Sequence, residues 1–270
     1  MRKFLVAALA AAVAVAGFAV ISQAGTGEGN TSWDFTLKPN KVKKAASSHS
    51  LVFPSKVDDQ GTDDPDDDIW TPASKNTISF PKQTSVDTSA MPRCKLTASD
   101  VGAGEQCPGK TRLGDGAAVV VVGGQPVGSS GQRQGGTKLN ATIDAFNKKT
   151  TILMIVQPCA PGTGPTSGQD CQPAGDPTTL EGTWSKVTTQ PKLAVPTPQS
   201  LLAIGVVVER FELTTEKHTK TVKQNGKEVL KSFVFTPEEC GGKWKSQDKA
   251  AYVDGTSQVI KDSQKCKKPS

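Results

Sequence analysis

Ala117-Ala118-Val119-Val120-Val121-Val122 is a run of six apolar residues, closed in by Gly116 on one side and Gly123-Gly124 on the other. It is too short for an ordinary helix and rich in β-branched side chains, so it reads as a buried strand. The same signature recurs further along. Ile152-Leu153-Met154-Ile155-Val156 stops just before Pro158, and Thr142-Ile143-Asp144-Ala145-Phe146 with Asn147-Lys148-Lys149 reads as the first arm and turn of a hairpin feeding it. Asp115-Gly116, Asn225-Gly226 and Asp254-Gly255 are dipeptides suited to tight turns, and Gly114-Asp115-Gly116 and Gly123-Gly124 read as turns flanking the first strand. The run Leu201 to Leu213 has the length of a helix, but Gly205 and the consecutive Val206, Val207 and Val208 favour a strand.

The Asn225-Gly226 turn predicts a register. With a two-residue loop, Gln224 faces Lys227, Lys223 faces Glu228 and Val222 faces Val229, which matches opposite charges and pairs valines across the ribbon. Short strands with frequent turns must cover one another's apolar faces. The expected fold is therefore all-β: an antiparallel β-sandwich with long loops, in one domain over residues 25–270. A polar, Asp-rich excursion is expected at about residues 39–79, holding the basic patch Lys41 to Lys44 and the serines around His49. A two-domain split near residue 195, where Pro191, Pro196 and Pro198 cluster, is the alternative.

The chain has 270 residues, 35% hydrophobic and 21% charged, and its first 24 read as a targeting segment rather than fold. Arg2 and Lys3 precede an apolar run from Phe4 to Ile21, and Ser22-Gln23-Ala24 offers small residues for cleavage after Ala24. The rival is an uncleaved anchor, since the run reaches the lower limit for a bilayer span. Without Arg2 and Lys3, 30 basic residues stand against 26 acidic ones. That balance, with only five Arg in the whole chain, argues against nucleic acid as a partner.

Six cysteines fall in the exported part of the chain, where disulfides persist. Six allow 15 pairings. Sequence-local partners give Cys94-Cys107, Cys159-Cys171 and Cys240-Cys266, each loop stabilising the fold by about 3 kcal/mol. No Cys-x-x-Cys and only two histidines, His49 and His218, speak against a zinc site.

Two charged features stand out. Residues 58 to 68 hold seven aspartates, and Asp64-Pro65-Asp66-Asp67-Asp68 reproduces the alternating half of a Ca²⁺ loop, making Asp64, Asp66 and Asp68 candidate ligands. Ile69 stands where such a loop needs glycine and Lys75 where it needs glutamate, so an exposed acidic loop is the alternative. Lys217, Lys220, Lys223, Lys227 and Lys231 are candidates for contact with an anionic wall polymer or membrane surface, against a hairpin kept soluble by lysine.

Catalytic signatures are missing: no Gly-x-Ser-x-Gly elbow, no His-Glu-x-x-His and no phosphate-binding glycine loop occur. His49 and His218 lie in polar stretches and read as surface residues. A two-carboxylate glycosidase needs no fixed spacing and stays open, although Trp33, Trp70, Trp184, Trp244 and Tyr252 are a thin supply for a sugar platform.

The segment from Phe80-Pro81-Lys82 through Met91-Pro92-Arg93-Cys94, then Cys107-Pro108-Gly109-Lys110-Thr111-Arg112-Leu113-Gly114-Asp115-Gly116-Ala117, resembles a family of uncharacterised secreted proteins of high-GC Gram-positive bacteria. Ala145-Phe146-Asn147 and the closing pattern Pro237, Cys240, Trp244, Tyr252, Asp254-Gly255, Cys266 are similar to it too. The resemblance implies an extracytoplasmic, disulfide-bonded all-β domain and no activity. The sequence thus leads to an expectation of a secreted or envelope-associated, non-enzymatic binding or structural module without a cofactor. A carboxylate hydrolase or a Ca²⁺-dependent envelope-polymer binder are the alternatives.

Overall fold

The computed structural model describes residues 32–58, 60, 61, 64 and 66–268. The leader expected over residues 1–24 lies outside them, as do Asp59, Asp63 and Pro65 of the acidic run. The chain is all-β. Strands β1 (Trp33–Lys38), β2 (Ser47–Val52), β3 (Lys56–Asp58), β4 (Ile69–Thr71), β5 (Ala73–Ser79) and β6 (Ser85–Val86) lead to a short helix, α1 (Ala98–Gly102). Then come β7 (Arg112–Val122), β8 (Gln125–Val127), β9 (Gln132–Gln134), β10 (Thr137–Asn147), β11 (Thr151–Pro158), β12 (Thr178–Ser185) and β13 (Lys192–Pro196). A second short helix, α2 (Gln199–Ala203), precedes β14 (Val207–Thr215), β15 (Thr219–Gln224), β16 (Lys227–Ser232), β17 (Val234–Phe235), β18 (Lys243–Tyr252) and β19 (Ser257–Lys265).

Eleven strands form one antiparallel sheet in the order β1-β2-β14-β7-β10-β11-β12-β13-β5-β18-β19. The sheet rolls until its edges meet. There the Asp262 carboxylate accepts from the Phe35 N–H at 3.1 Å, and the Gln264 amide accepts from the Leu37 N–H and donates to the Leu37 carbonyl, both at 2.8 Å. The two facing layers expected of a sandwich are thus halves of a single sheet, closed into a near-barrel by side chains of β19 bonding the backbone of β1. Three disulfides, Cys94–Cys107, Cys159–Cys171 and Cys240–Cys266, staple it.

One end of the interior is filled by aromatic rings. Trp33, Phe35, Phe80, Trp184 and Phe233 form a chain with successive centroids 4.8–6.1 Å apart, within the range of favourable ring pairs. Polar residues also line the inside where neighbours satisfy them: the Ser48 and Thr215 hydroxyls are 2.7 Å apart, and Ser50 donates to the Leu213 carbonyl.

That satisfaction corrects the expected excursion at 39–79. Ser47–Val52 is an interior strand of the large sheet despite its serines, and Ala73–Ser79 is another, so the excursion expected over 39–79 is interrupted by β2 and its longer part runs between β2 and β5. There β3 and β4 join β9 and β8 in a four-stranded sheet. Asp115-Gly116 is likewise no turn but lies inside β7, because a side chain at Gly116 would meet the Glu212 carbonyl oxygen at 1.9 Å; the glycine lets β14 come close. Asn225-Gly226 does turn, with the register Gln224↔Lys227, Lys223↔Glu228 and Val222↔Val229. Leu201–Leu213 is divided, its first part in α2 and its strand starting at Val207, with Gly205 at φ +76° between them. Pro191, Pro196 and Pro198 bracket or end β13, which is hydrogen-bonded between β12 and β5.

Candidate functional site: an apolar cavity in the barrel

Strands alternate their side chains between two faces, and on the inner face of β7 that places Ala118, Val120 and Val122. Leu139 and Ala141 of β10 continue this wall; Ile78, Leu180 and Val195 stand on the strands across the barrel. Alanines and valines leave the space between walls unfilled. The result is a cavity of about 260 Å³, larger than the ~150 Å³ apolar void that accepts a benzene ring. The aromatic rings close one end, and Ile78 and Phe211 line the space toward them.

The other end carries the rim. Leu201 and Ile204 of the α2 segment line the cavity, and Ile204 is 70% exposed. The guanidinium of Arg133 on β9 donates to the Leu202 carbonyl at 3.2 Å, anchoring the end of α2 to the small sheet. Opposite, the loop after β11 is held by Cys159–Cys171 and by the Asn140 amide, which donates to the Thr163 carbonyl at 2.8 Å. Pro158 and Asp176 from the two ends of that loop reach the cavity.

Few polar groups interrupt the lining. Thr197 bonds the Ala73 carbonyl. Asn76 of β5 also lines it, and its side-chain oxygen is buried without a hydrogen-bond partner. On the neighbouring strand β18, Trp244, Ser246, Asp248, Ala250 and Tyr252 alternate inward. Asp248 pairs with Ile78, and Ala250 with Asn76, so Asp248 and Asn76 are diagonal neighbours on the interior face. The Asp248 carboxyl is 1% exposed and forms no well-made hydrogen bond. Burial pushes its pKa up to about 7; hydrogen bonds from the backbone N–H groups of Lys249 and Thr77 act in the opposite direction and only partly offset it.

Residues singled out from sequence lie elsewhere. Asp64 and Asp66 are exposed, Asp68 is half-buried, and the Asp66 N–H bonds the Asp64 carboxylate at 3.0 Å. Among the described residues no group of three or more His, Cys, Asp or Glu is gathered so as to hold a metal ion. Lys217, Lys220, Lys223 and Lys227 are exposed. The ribbon's register puts Lys220, Lys227 and Lys231 on one face and Lys223, opposite Glu228, on the other. The Lys231 ammonium is 3.4 Å from Asp87. Partial burial pushes the Asp87 carboxyl upward, but Ser89 and Lys231 hold it below its usual range.

His49 Nδ1 is 3.0 Å from the Thr214 hydroxyl, and His218 Nε2 donates to the Leu113 carbonyl at 2.9 Å. Outside the barrel, Arg112 gathers Asp144 at 2.7 Å, Asp115 at 3.5 Å and Glu216 at 3.6 Å, while Arg210 is 2.6 Å from Glu212. These carboxylates are ion-paired on an open face. Trp33 and Trp184 belong to the interior packing, so they offer no platform there. Asn76 and Asp248 escaped the sequence reading. The available signal was an aspartate at an inward position of the alternating run Trp244 to Tyr252.

Among the described residues no helix is long and apolar enough to cross a membrane. No protein-family model, no curated protein and no solved structure matches this chain.

Proposed function

We propose that the protein is an extracellular, non-enzymatic binding protein whose barrel takes up an apolar small molecule. The cavity carries this reading: space of about 260 Å³ between Val, Leu, Ile and Ala side chains from both halves of the sheet, rimmed by a short helix with an exposed isoleucine. An apolar void of this size, left empty, forgoes several kcal/mol of packing, which a ligand restores. Three disulfides and the leader-like first 24 residues support work outside the cytoplasm.

Titration with the environment-sensitive dye N-phenyl-1-naphthylamine tests the reading. One saturable site per chain is expected, with enhanced, blue-shifted emission. Ala141→Trp, which fills the cavity from β10, is expected to weaken binding about tenfold or more, while circular dichroism reports an intact β fold. Absence of saturable binding to the wild-type chain, or undiminished binding to a folded Ala141→Trp variant, overturns the proposal.

A further inference from the structure

We infer that the outward face of β13, β5, β18 and β19 is a docking surface for an extended polyanion, a polymer carrying phosphate or carboxylate groups along its chain. The surface lies outside the barrel and is independent of the cavity. Alternation along these strands sends Leu193, Ile78, Trp244 and Asp248 inward, so the residues between them point out. The outward set holds Lys192 on β13, Lys75 on β5, Lys243, Lys245 and Lys249 on β18, and Lys261 and Lys265 on β19. No Asp or Glu takes an outward position on any of the four strands. Their two acids, Asp248 and Asp262, face the other way, and the Asp262 carboxylate accepts from the Phe35 N–H. Asp254, in the turn between β18 and β19, is bonded by Thr256 and neighboured by Lys56.

Elsewhere the cations are balanced. Lys138, Lys148, Lys231 and Arg112 each stand beside a carboxylate, whereas no ion pair among the described residues involves any of these seven lysines. Lys243 even faces Lys265 directly across the ladder, a like-charge pair that costs a sheet stability and that a bound polyanion relieves. The shape favours a chain over a bilayer. β5 pairs with β18 only from Gln247 onward, so residues 243–246 have no strand paired with them on that side. A groove of about 770 Å³ lies there, lined by Lys82, Lys243, Lys245 and Lys261, with Glu239 and Asp262 as its acids. Successive outward lysines of a strand stand about 7 Å apart, so an extended chain can meet several at once. Binding in a membrane surface calls for apolar side chains at the contact, and among the described residues Val259 is the only large exposed hydrophobic on this face.

The experiment is calorimetric titration of the wild-type chain with long-chain polyphosphate and with poly-L-glutamate, at about 50 mM and about 200 mM salt. Binding of at least one polymer is expected, weakening about tenfold or more at the higher salt. The triple variant Lys243→Gln/Lys245→Gln/Lys261→Gln is expected to bind about tenfold more weakly than wild type. Lys217→Gln/Lys220→Gln/Lys223→Gln removes the same charge from the segment leading into and along β15, and is expected to stay within about twofold of wild type. Circular dichroism checks the fold of both. In the wild-type chain, acetylation read by mass spectrometry is expected to slow at Lys243, Lys245 and Lys261 when polymer is added, and to be unchanged at Lys217 and Lys220. No binding of either polymer, binding indifferent to salt, or equal losses in the two variants overturns the inference. Binding confined to phosphatidylglycerol vesicles overturns it too, since the face is then a membrane contact.

Discussion

At pH 7 the buried carboxyl of Asp248 is near the midpoint of its own titration, whereas in the unfolded chain it ionises near 3.8. Below about pH 4 the group is protonated in both states and exerts no bias. Between about 4 and 7 the folded chain keeps a proton that the unfolded chain has released, so stability falls as pH rises. Above 7 the loss is complete and constant, on the order of 4 kcal/mol. Asp87, Asp100 and Asp254 work in the opposite sense, since neighbouring hydrogen bonds hold each below its usual range and their contribution is lost on acidification through that range. Melting curves of Asp248→Asn and the wild-type chain separate the two effects. The variant's advantage is expected to grow from pH 4 to pH 7 and then level off; an advantage independent of pH would show that Asp248 does not carry the proton assigned to it.

At the level of elements, β7 shows how a strand is shaped by what it lacks. A side-chain carbon at Gly114 would meet the Thr214 carbonyl oxygen at 1.9 Å, and one at Gly116 the Glu212 carbonyl oxygen at the same distance. Both glycines face the interior just before Ala118, so β14 and β7 can close on each other where the cavity wall begins. Gly116→Ala forces these backbones apart and is expected to cost about 3 kcal/mol or more, read as a lowered denaturation midpoint with an unchanged slope. This is also where local sequence misleads. Asp115-Gly116 has turn chemistry, but a glycine needed for close approach and one needed for a turn look alike without the partner strand. Ser47-Ser48-His49-Ser50 looks solvated for the same reason, because the hydroxyl of Thr215 and the carbonyl of Leu213 that satisfy Ser48 and Ser50 are supplied from more than 160 residues away. Features settled by near neighbours were legible: the valine run of β7, the β10–β11 hairpin and the register around Asn225-Gly226.

For the whole molecule, what decides both cavity and closure is strand order, and that order is non-local. β5 lies between β13 and β18, pairing Ile78 with Leu193 on one side and with Asp248 on the other. Ala118, Ala141 and Val195 therefore surround one space although nothing in their local patterns announces it, which is why the cavity was illegible while the all-β class was plain. The same order leaves one join without a ladder. Between β1 and β19 the bonds come from Asp262 and Gln264, and the bridge Cys240–Cys266 ties the chain just beyond β19. Replacing both side chains by alanine removes the partners of the Phe35 and Leu37 N–H groups, which point away from β2. Each lost bond weakens the seam by about 1 kcal/mol, so amide exchange at Phe35 and Leu37 is expected to quicken about tenfold. Amides of β7 and β10, paired on both sides within the sheet, should keep their wild-type rates. If exchange quickens equally in all four strands, the two side chains stabilise the fold as a whole. If Phe35 and Leu37 keep their protection, packing between β1 and β19 holds the barrel shut without them.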